Sequence, residues 1–282
     1  ALPIYIRDID AVRTAVAGCN HVFHTAGLIS YHVRDWDDLY GVNVLRTENV
    51  LRAAAQYGVE RVVLTSSTAA VGMPECGDVP LDENAYFKRR FQAVPYMYSK
   101  WLAECVTRHF PEVNTVVLNP VTMFGAGDSN MNTGILFKKL RHGRMWFYPP
   151  GGTSVVSVRD CVDGHILAME RGVAGRRYSL CTANHSYKEL FTRIACVLGI
   201  TPPWIPVPSQ AAPLVKAAAV LCEFMSNTFG SGSLTRHIAT LGFSHRFFSS
   251  QRASAELGWQ PMQTTDEMLY EAYEYYVKHQ LF

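Results

Sequence analysis

Tyr96 and Lys100 stand four residues apart in Tyr96-Met97-Tyr98-Ser99-Lys100, at the start of a helix-like run from Tyr96 to Phe110. On a helix that spacing puts both side chains on one face, with the ammonium beside the phenol. A neighbouring positive charge favours the phenolate and draws the tyrosine's pKa toward working pH. Such a tyrosine can act as a general acid/base toward an alcohol or a carbonyl. A Tyr-x-x-x-Lys pair also arises often by chance, so its meaning depends on the elements around it.

Those elements alternate. Asp10 to Ala17 reads as a helix ending near Gly18, and His21 to His24 as a short strand closed by Thr25-Ala26-Gly27. Asp37 to Tyr57 reads as a long helix capped at Gly58. Arg61 to Leu64 is a strand running into Thr65-Ser66-Ser67-Thr68, and Val113 to Leu118 a buried strand before Asn119-Pro120. This alternation predicts an α/β fold: a parallel sheet with helices on both faces, whose ligands sit beyond the carboxyl ends of the strands. Thr25 to Gly27, Ser66 to Thr68 and Asn119 to Thr122 all lie at such ends. After residue 128 the chain is turn-rich, at Asn130 to Gly134 and Tyr148 to Gly152. Val155 to Glu170 reads as strand then helix, a return to the sheet, and 183–282 as mostly helical, with breaks at Thr201-Pro202-Pro203 and Gly230-Ser231-Gly232. The expected division is a core of 1–128 and 155–182, with a smaller, mostly helical cap of 129–154 and 183–282 over the sheet's carboxyl edge.

Composition bounds the function. The 282 residues are 48% hydrophobic and 18% charged, enough for a globular core. A net charge of +2 gives no sign of a nucleic-acid surface. The seven cysteines, Cys19, Cys76, Cys105, Cys161, Cys181, Cys196 and Cys222, form no Cys-x-x-Cys pair, so neither a disulfide framework nor a metal site is signalled. Most sit in apolar runs and read as buried thiols, which fits the cytoplasm or another reducing compartment. The expectation is that no signal peptide opens the chain. The apolar segment Ala211 to Met225 carries Lys216 and Glu223; it reads as an amphipathic helix, with a weak membrane-surface contact as the alternative and no transmembrane span.

Ser67, Tyr96 and Lys100 together form a Ser-Tyr-Lys set, and here the chain resembles the extended short-chain dehydrogenase/reductase superfamily. The likeness is carried by His21-Val-Phe-His-Thr-Ala-Gly27, Asn43 to Ala54, Val62-Val-Leu-Thr-Ser-Ser67, Leu118-Asn-Pro-Val-Thr-Met-Phe-Gly125, Val158 to His165 and Ala255-Glu-Leu-Gly-Trp259. The resemblance implies a Rossmann-like doubly wound sheet that binds NAD or NADP. It implies Tyr96 as general acid/base, Lys100 on the nicotinamide ribose, and Ser67 on the substrate oxygen, in preference to Ser66 because Ser67 lies five residues before Gly72. Thr25, Ala26 and Gly27 would line the dinucleotide, and Pro120 and Val121 the nicotinamide. A homodimer is common in the superfamily.

The glycine-rich fingerprint of that superfamily is not found near the start, which reads Ala1-Leu2-Pro3-Ile4-Tyr5, with Tyr5 where an acidic residue contacting adenine would stand. The expectation is that about 50 residues, one and a half βαβ units, precede this sequence in the natural protein, since a missing first strand would leave a central sheet edge open. Nucleotide-sugar epimerases carry an asparagine where this chain has Thr122, and they need basic residues for a diphosphate, for which Arg159, Arg176 and Arg177 are candidates. The expected pocket is aromatic and apolar: Tyr31, His32, Trp36, Met73, Thr122, Met123, Trp146, Phe147 and Tyr148. This texture most resembles the dihydroflavonol-reductase-like, 3β-hydroxysteroid-dehydrogenase-like and hopanoid-associated epimerase-like branch. It implies an NAD(P)-dependent oxidoreductase interconverting a ketone and a secondary alcohol on a hydrophobic or ring-shaped small molecule. An epimerase or dehydratase using the same Ser-Tyr-Lys set, and a non-catalytic subunit of a larger assembly, are the alternatives.

Overall fold

The structure, a computed structural model, describes residues 6, 8–74, 79–143, 145–229 and 236–282. The expectations at Ala1 to Tyr5, at Cys76 and at the Gly230-Ser231-Gly232 break lie outside those residues. In chain order the elements are α1 (Ile9–Val16), β1 (His21–His24), α2 (Trp36–Leu39), α3 (Arg46–Tyr57), β2 (Arg61–Thr65), α4 (Pro95–Thr107), β3 (Thr115–Pro120), β4 (Thr122–Phe124), α5 (Gly134–Arg141) and β5 (Phe147–Tyr148). They continue with β6 (Gly152–Ser157), α6 (Val158–Arg171), β7 (Arg177–Leu180), β8 (Ala183–Ser186), α7 (Tyr187–Leu198), β9 (Ile205–Pro206), α8 (Ala212–Phe229), α9 (Arg236–Gly242), β10 (His245–Arg246) and α10 (Thr265–Lys278).

Local chemistry sets the helix ends. The Asp8 carboxylate accepts from the Asp10 backbone N–H at 2.9 Å and starts α1. Gly58, at φ 65°, closes α3 in the left-handed conformation. Capping boxes, Ser186 with Glu189 and Thr264 with Glu267, start α7 and α10. The long helix expected over Asp37 to Tyr57 is interrupted by a π-helical stretch, Tyr40–Leu45, which holds the buried Asn43.

The main sheet has the order β1-β2-β3-β7, all parallel. Its central strands are apolar and buried on both faces, with Val62, Val63, Val116 and Leu118 fully covered. This is the expected Rossmann-like arrangement. Among the described residues no strand pairs with the outer edge of β1.

One assignment changes. The strand after the turn-rich region, β6, does not return to the main sheet. It joins a second sheet, parallel to β4 and β10 and antiparallel to β8. The strand that returns is β7, which lies along β3. Glycine permits the close pairing there: a Cβ on Gly152 would fall 2.6 Å from the His185 carbonyl oxygen and 2.7 Å from the Phe247 ring. The missing side chain leaves room for the β8 and β10 segments to lie alongside β6. Chain connectivity is equally direct on the other side, where only Val121 separates β3 of the first sheet from β4 of the second.

The thiols also differ from expectation. Of the six described cysteines, Cys161 and Cys181 are buried, Cys105 is intermediate, and Cys19, Cys196 and Cys222 are exposed. Among the described residues no helix is long and apolar enough to cross a membrane.

Candidate active site

The carboxyl ends of β1, β2 and β3 and the first turns of α4 meet around a cavity of about 580 Å³. Ser67, Tyr96, Val121, Thr122 and Arg246 are among its lining residues. Ser67 follows β2 in extended conformation and caps the short turn Thr68–Ala70, accepting from the Ala69 N–H at 3.2 Å. Ser67 shares the cavity wall with Tyr96, and hydrogen bonding from Ser67 favours the ionised phenol. Ser66 faces the other way and donates to Glu104 at 2.5 Å. The Tyr31 ring meets the Tyr96 ring edge-on at 5.7 Å.

Lys100 lies behind this wall. Its ammonium donates to the Thr65 carbonyl at 3.1 Å, and a Cβ on Gly27 would stand 3.0 Å from it. A side chain at position 27 would therefore fill the approach to the ammonium. Burial drops Lys100 from its ordinary pKa of 10.5 to about 8, with the Glu104 carboxylate pulling it back up. Burial likewise depresses His24 to about 4, with Lys100 adding to the effect. The neutral imidazole is bonded to Thr47 at 3.0 Å.

Tyr96 departs from expectation in direction. Burial, and then Tyr31, push its phenol well above the usual tyrosine range, and only the Ser67 hydrogen bond opposes them. The ammonium was expected to draw it down. In this structure desolvation dominates Tyr96.

Two polar clusters hold the wall, and residue types alone gave no sign of them as parts of the site. Asn43 accepts from the Leu28 N–H at 2.8 Å, donates to the Leu28 carbonyl at 3.0 Å and donates to Ser99 at 2.9 Å. It thereby ties the loop after β1 to the first turns of α4, where Ser99 donates to the Tyr96 carbonyl. Glu104 accepts from Ser66 and from Asn119, the latter at 2.6 Å, and pairs with Arg177 at 3.4 Å. Asn119 in turn donates to the Ser67 carbonyl at 2.8 Å. Glu104 extends the spacing of Tyr96 and Lys100 by one more helical step, and that register was its available signal.

Of the expected pocket residues, Tyr31, Met73, Thr122 and Met123 line the cavity. Trp36 and Trp146 do not. Trp36 stacks flat on Tyr98 at 5.3 Å, in an aromatic ladder that continues through Trp101 to Phe87 on the outer side of α4. Trp146 is 67% exposed beside the small β5–β9 ribbon. His32, Phe147 and Tyr148 also lie outside the cavity lining. The residues for the nicotinamide side fit a dinucleotide. Thr25 to Gly27 are exposed just past β1, Pro120 ends β3, and Lys100 has donor capacity beyond its bond to Thr65.

The sheet and the placement of this wall at its carboxyl edge define the extended short-chain dehydrogenase/reductase class. The comparisons agree. A protein of Synechocystis sp. provisionally named dihydroflavonol 4-reductase is 29% identical over 273 residues, covering 93% of this chain and 77% of its own. Sterol demethylase protein B of Methylococcus capsulatus is 29% identical, covering 92% and 79%. The crystal structure of gox2253 is 29% identical, with a TM-score of 0.82, covering 97% of this chain and 83% of that one. The chain belongs to the NAD dependent epimerase/dehydratase family, whose profile matches residues 3–181. It is an enzyme of that family, and its cofactor is a nicotinamide dinucleotide.

Proposed function

We propose that this protein interconverts a ketone and a secondary alcohol on a hydrophobic or ring-shaped small molecule. The observation that carries the reading is the placement of Ser67 and Tyr96 on one cavity wall, with Lys100 directly behind. The nicotinamide, when bound, supplies or takes the hydride. Tyr96 passes a proton to, or takes it from, the substrate oxygen. Like an ordinary tyrosine, the phenol is protonated at neutral pH and is the proton donor in the reductive direction. Ser67 holds the same oxygen by a hydrogen bond and fixes its distance from Tyr96. Lys100, Thr25, Ala26, Gly27, Pro120 and Val121 hold the nicotinamide-ribose half of the cofactor. Residues 1–128 and 155–182 serve as the cofactor-binding part and 129–154 and 183–282 as the substrate cap, in a homodimer.

A nucleotide-sugar reading is less well supported. Arg159 pairs with Glu271 at 3.0 Å, Arg176 with Glu256, and Arg177 with Glu104. The three candidates for a diphosphate are thus engaged elsewhere.

The test is a panel of aryl and alicyclic ketones with NADH or NADPH, followed at the nicotinamide absorbance. With any ketone the parent reduces, Tyr96→Phe should lower turnover at least about 100-fold. A variant as fast as the parent would overturn the mechanism.

A further inference from the structure

Arg246 lies on the cavity wall, on the strand β10 that pairs with β6 beside Thr153. One terminal nitrogen, Nη2, donates to the Thr153 hydroxyl at 3.2 Å and to the Tyr187 hydroxyl at 3.1 Å. Its Nε is buried and has no hydrogen-bond partner among the described residues. No described carboxylate stands within ion-pair distance of it. The contrast with Arg159, Arg176, Arg177, Arg193 and Arg252 is plain, since each of these faces a glutamate or an aspartate.

A desolvated guanidinium without a counter-charge is costly. Here it borders the chemistry, because its charge acts on Tyr31, whose ring meets that of Tyr96. Asp128, the acidic residue of the lining, does not neutralise it. The Asp128 oxygens accept instead from the backbone N–H groups of Asn132, Thr133 and Gly134 and from the Tyr276 hydroxyl.

We infer that Arg246 is the substrate-recognising cation of this cavity, and that the substrate carries a carboxylate on the same molecule as its reacting carbonyl. The inference rests on the reductase reading for the carbonyl and on Arg246 for the acid. A carboxylate is favoured over a diphosphate because Arg246 is the only cationic side chain among the described lining residues. One guanidinium matches one compact, singly charged oxyanion, toward which Nη1 remains to donate while Nη2 is held by Thr153 and Tyr187. Thr122 belongs to the same arrangement: its hydroxyl bonds that of Thr153 at 3.1 Å, which in turn takes the hydrogen bond from Arg246.

The test compares 4-oxocyclohexane-1-carboxylate with its methyl ester by calorimetry, with NAD present throughout. The parent should bind the acid at least about tenfold more tightly than the ester, a difference of about 1.4 kcal/mol. In Arg246→Gln, checked for folding by thermal unfolding, the ratio should fall close to one. Arg246→Lys, which restores the charge without the fork, should recover part of it. A ratio of one in the parent, failure of both ligands to bind included, overturns the inference, as does a ratio that survives Arg246→Gln. Benzoate should displace the keto acid where inorganic phosphate at equal concentration does not. The reverse order would replace the carboxylate by a phosphate ester and overturn the assignment. Tyr96→Phe should keep the acid-to-ester ratio of the parent. Full turnover in that variant would therefore sink the reductase reading while leaving the anion site standing.

Discussion

Lys100 carries a cost that its neighbours only partly offset. Its folded pKa of about 8 lies below the ordinary 10.5, so between these values the unfolded chain binds more protons than the fold. Stability from this group therefore rises with pH across that window, and below pH 8 the buried charge acts against folding. Lys100→Met should raise Tm at pH 7, and the gain over the parent should shrink as pH climbs from 8 to 10.5. Paired melting curves at pH 7 and pH 10 measure this; a gain that does not change with pH would contradict the burial argument. Activity should be lost in the same variant, a stability–function conflict of the kind common at active sites. Residue identity made Tyr96, Lys100 and Ser67 legible because their spacing and strand-end positions were readable. It misjudged Trp36 and Trp146, because aromatic character does not say which face a side chain takes. Trp36 joins its ladder through Tyr98, two residues from Tyr96 and so on another side of α4.

At the scale of elements, α4 organises the site along one stripe: Tyr96, Lys100, Glu104. Glu104 gathers Ser66, Asn119 and Arg177, and removing it leaves two buried polar groups and one half-buried guanidinium without that partner. Glu104→Ala should destabilise the protein by about 3 kcal/mol, read from the shift of a urea transition. A change within a few tenths of a kcal/mol would show that the cluster rearranges freely. The strands and helices of the main sheet were readable from periodicity and from glycine and capping signals. The π-helical stretch at Tyr40–Leu45 was not, since one extra residue in a turn leaves the apolar pattern almost intact. Arg246 escaped notice for a related reason: its strand is two residues long, too short for any alternation to register.

Across the whole molecule, Asp128 ties the loop over the cavity to the C-terminal helix. Burial alone would raise its pKa, but the N–H groups of Gly134, Asn132 and Thr133 and the Tyr276 hydroxyl outweigh burial and hold it below its ordinary 3.8. A depressed carboxylate contributes stability above its unfolded pKa and loses it as pH falls through the folded value. Asp128→Asn should lower Tm at pH 7, and the gap to the parent should begin to close only as pH falls below the ordinary 3.8 toward the lower folded value, as melting curves across that range would show. A constant gap would place the effect elsewhere. The second sheet was the largest feature missed in the sequence, because β6 reads as a buried strand in either sheet and its apolar run does not name its partners.

Val121, the single residue between β3 and β4, is itself on the cavity wall. Its N–H reaches the Leu180 carbonyl of β7 at 3.3 Å, so the junction is pinned on the main-sheet side as well. The two sheets are thus separated by a covalent length rather than by a flexible connector. Selection for larger or smaller guests cannot proceed by sliding one sheet from the other. Adding a residue here would invert the alternation of β4, exchanging the buried Phe124 for a neighbour and scrambling both walls at once. Diversification of what the cavity accepts is therefore channelled into side-chain exchange on walls held at a fixed gauge.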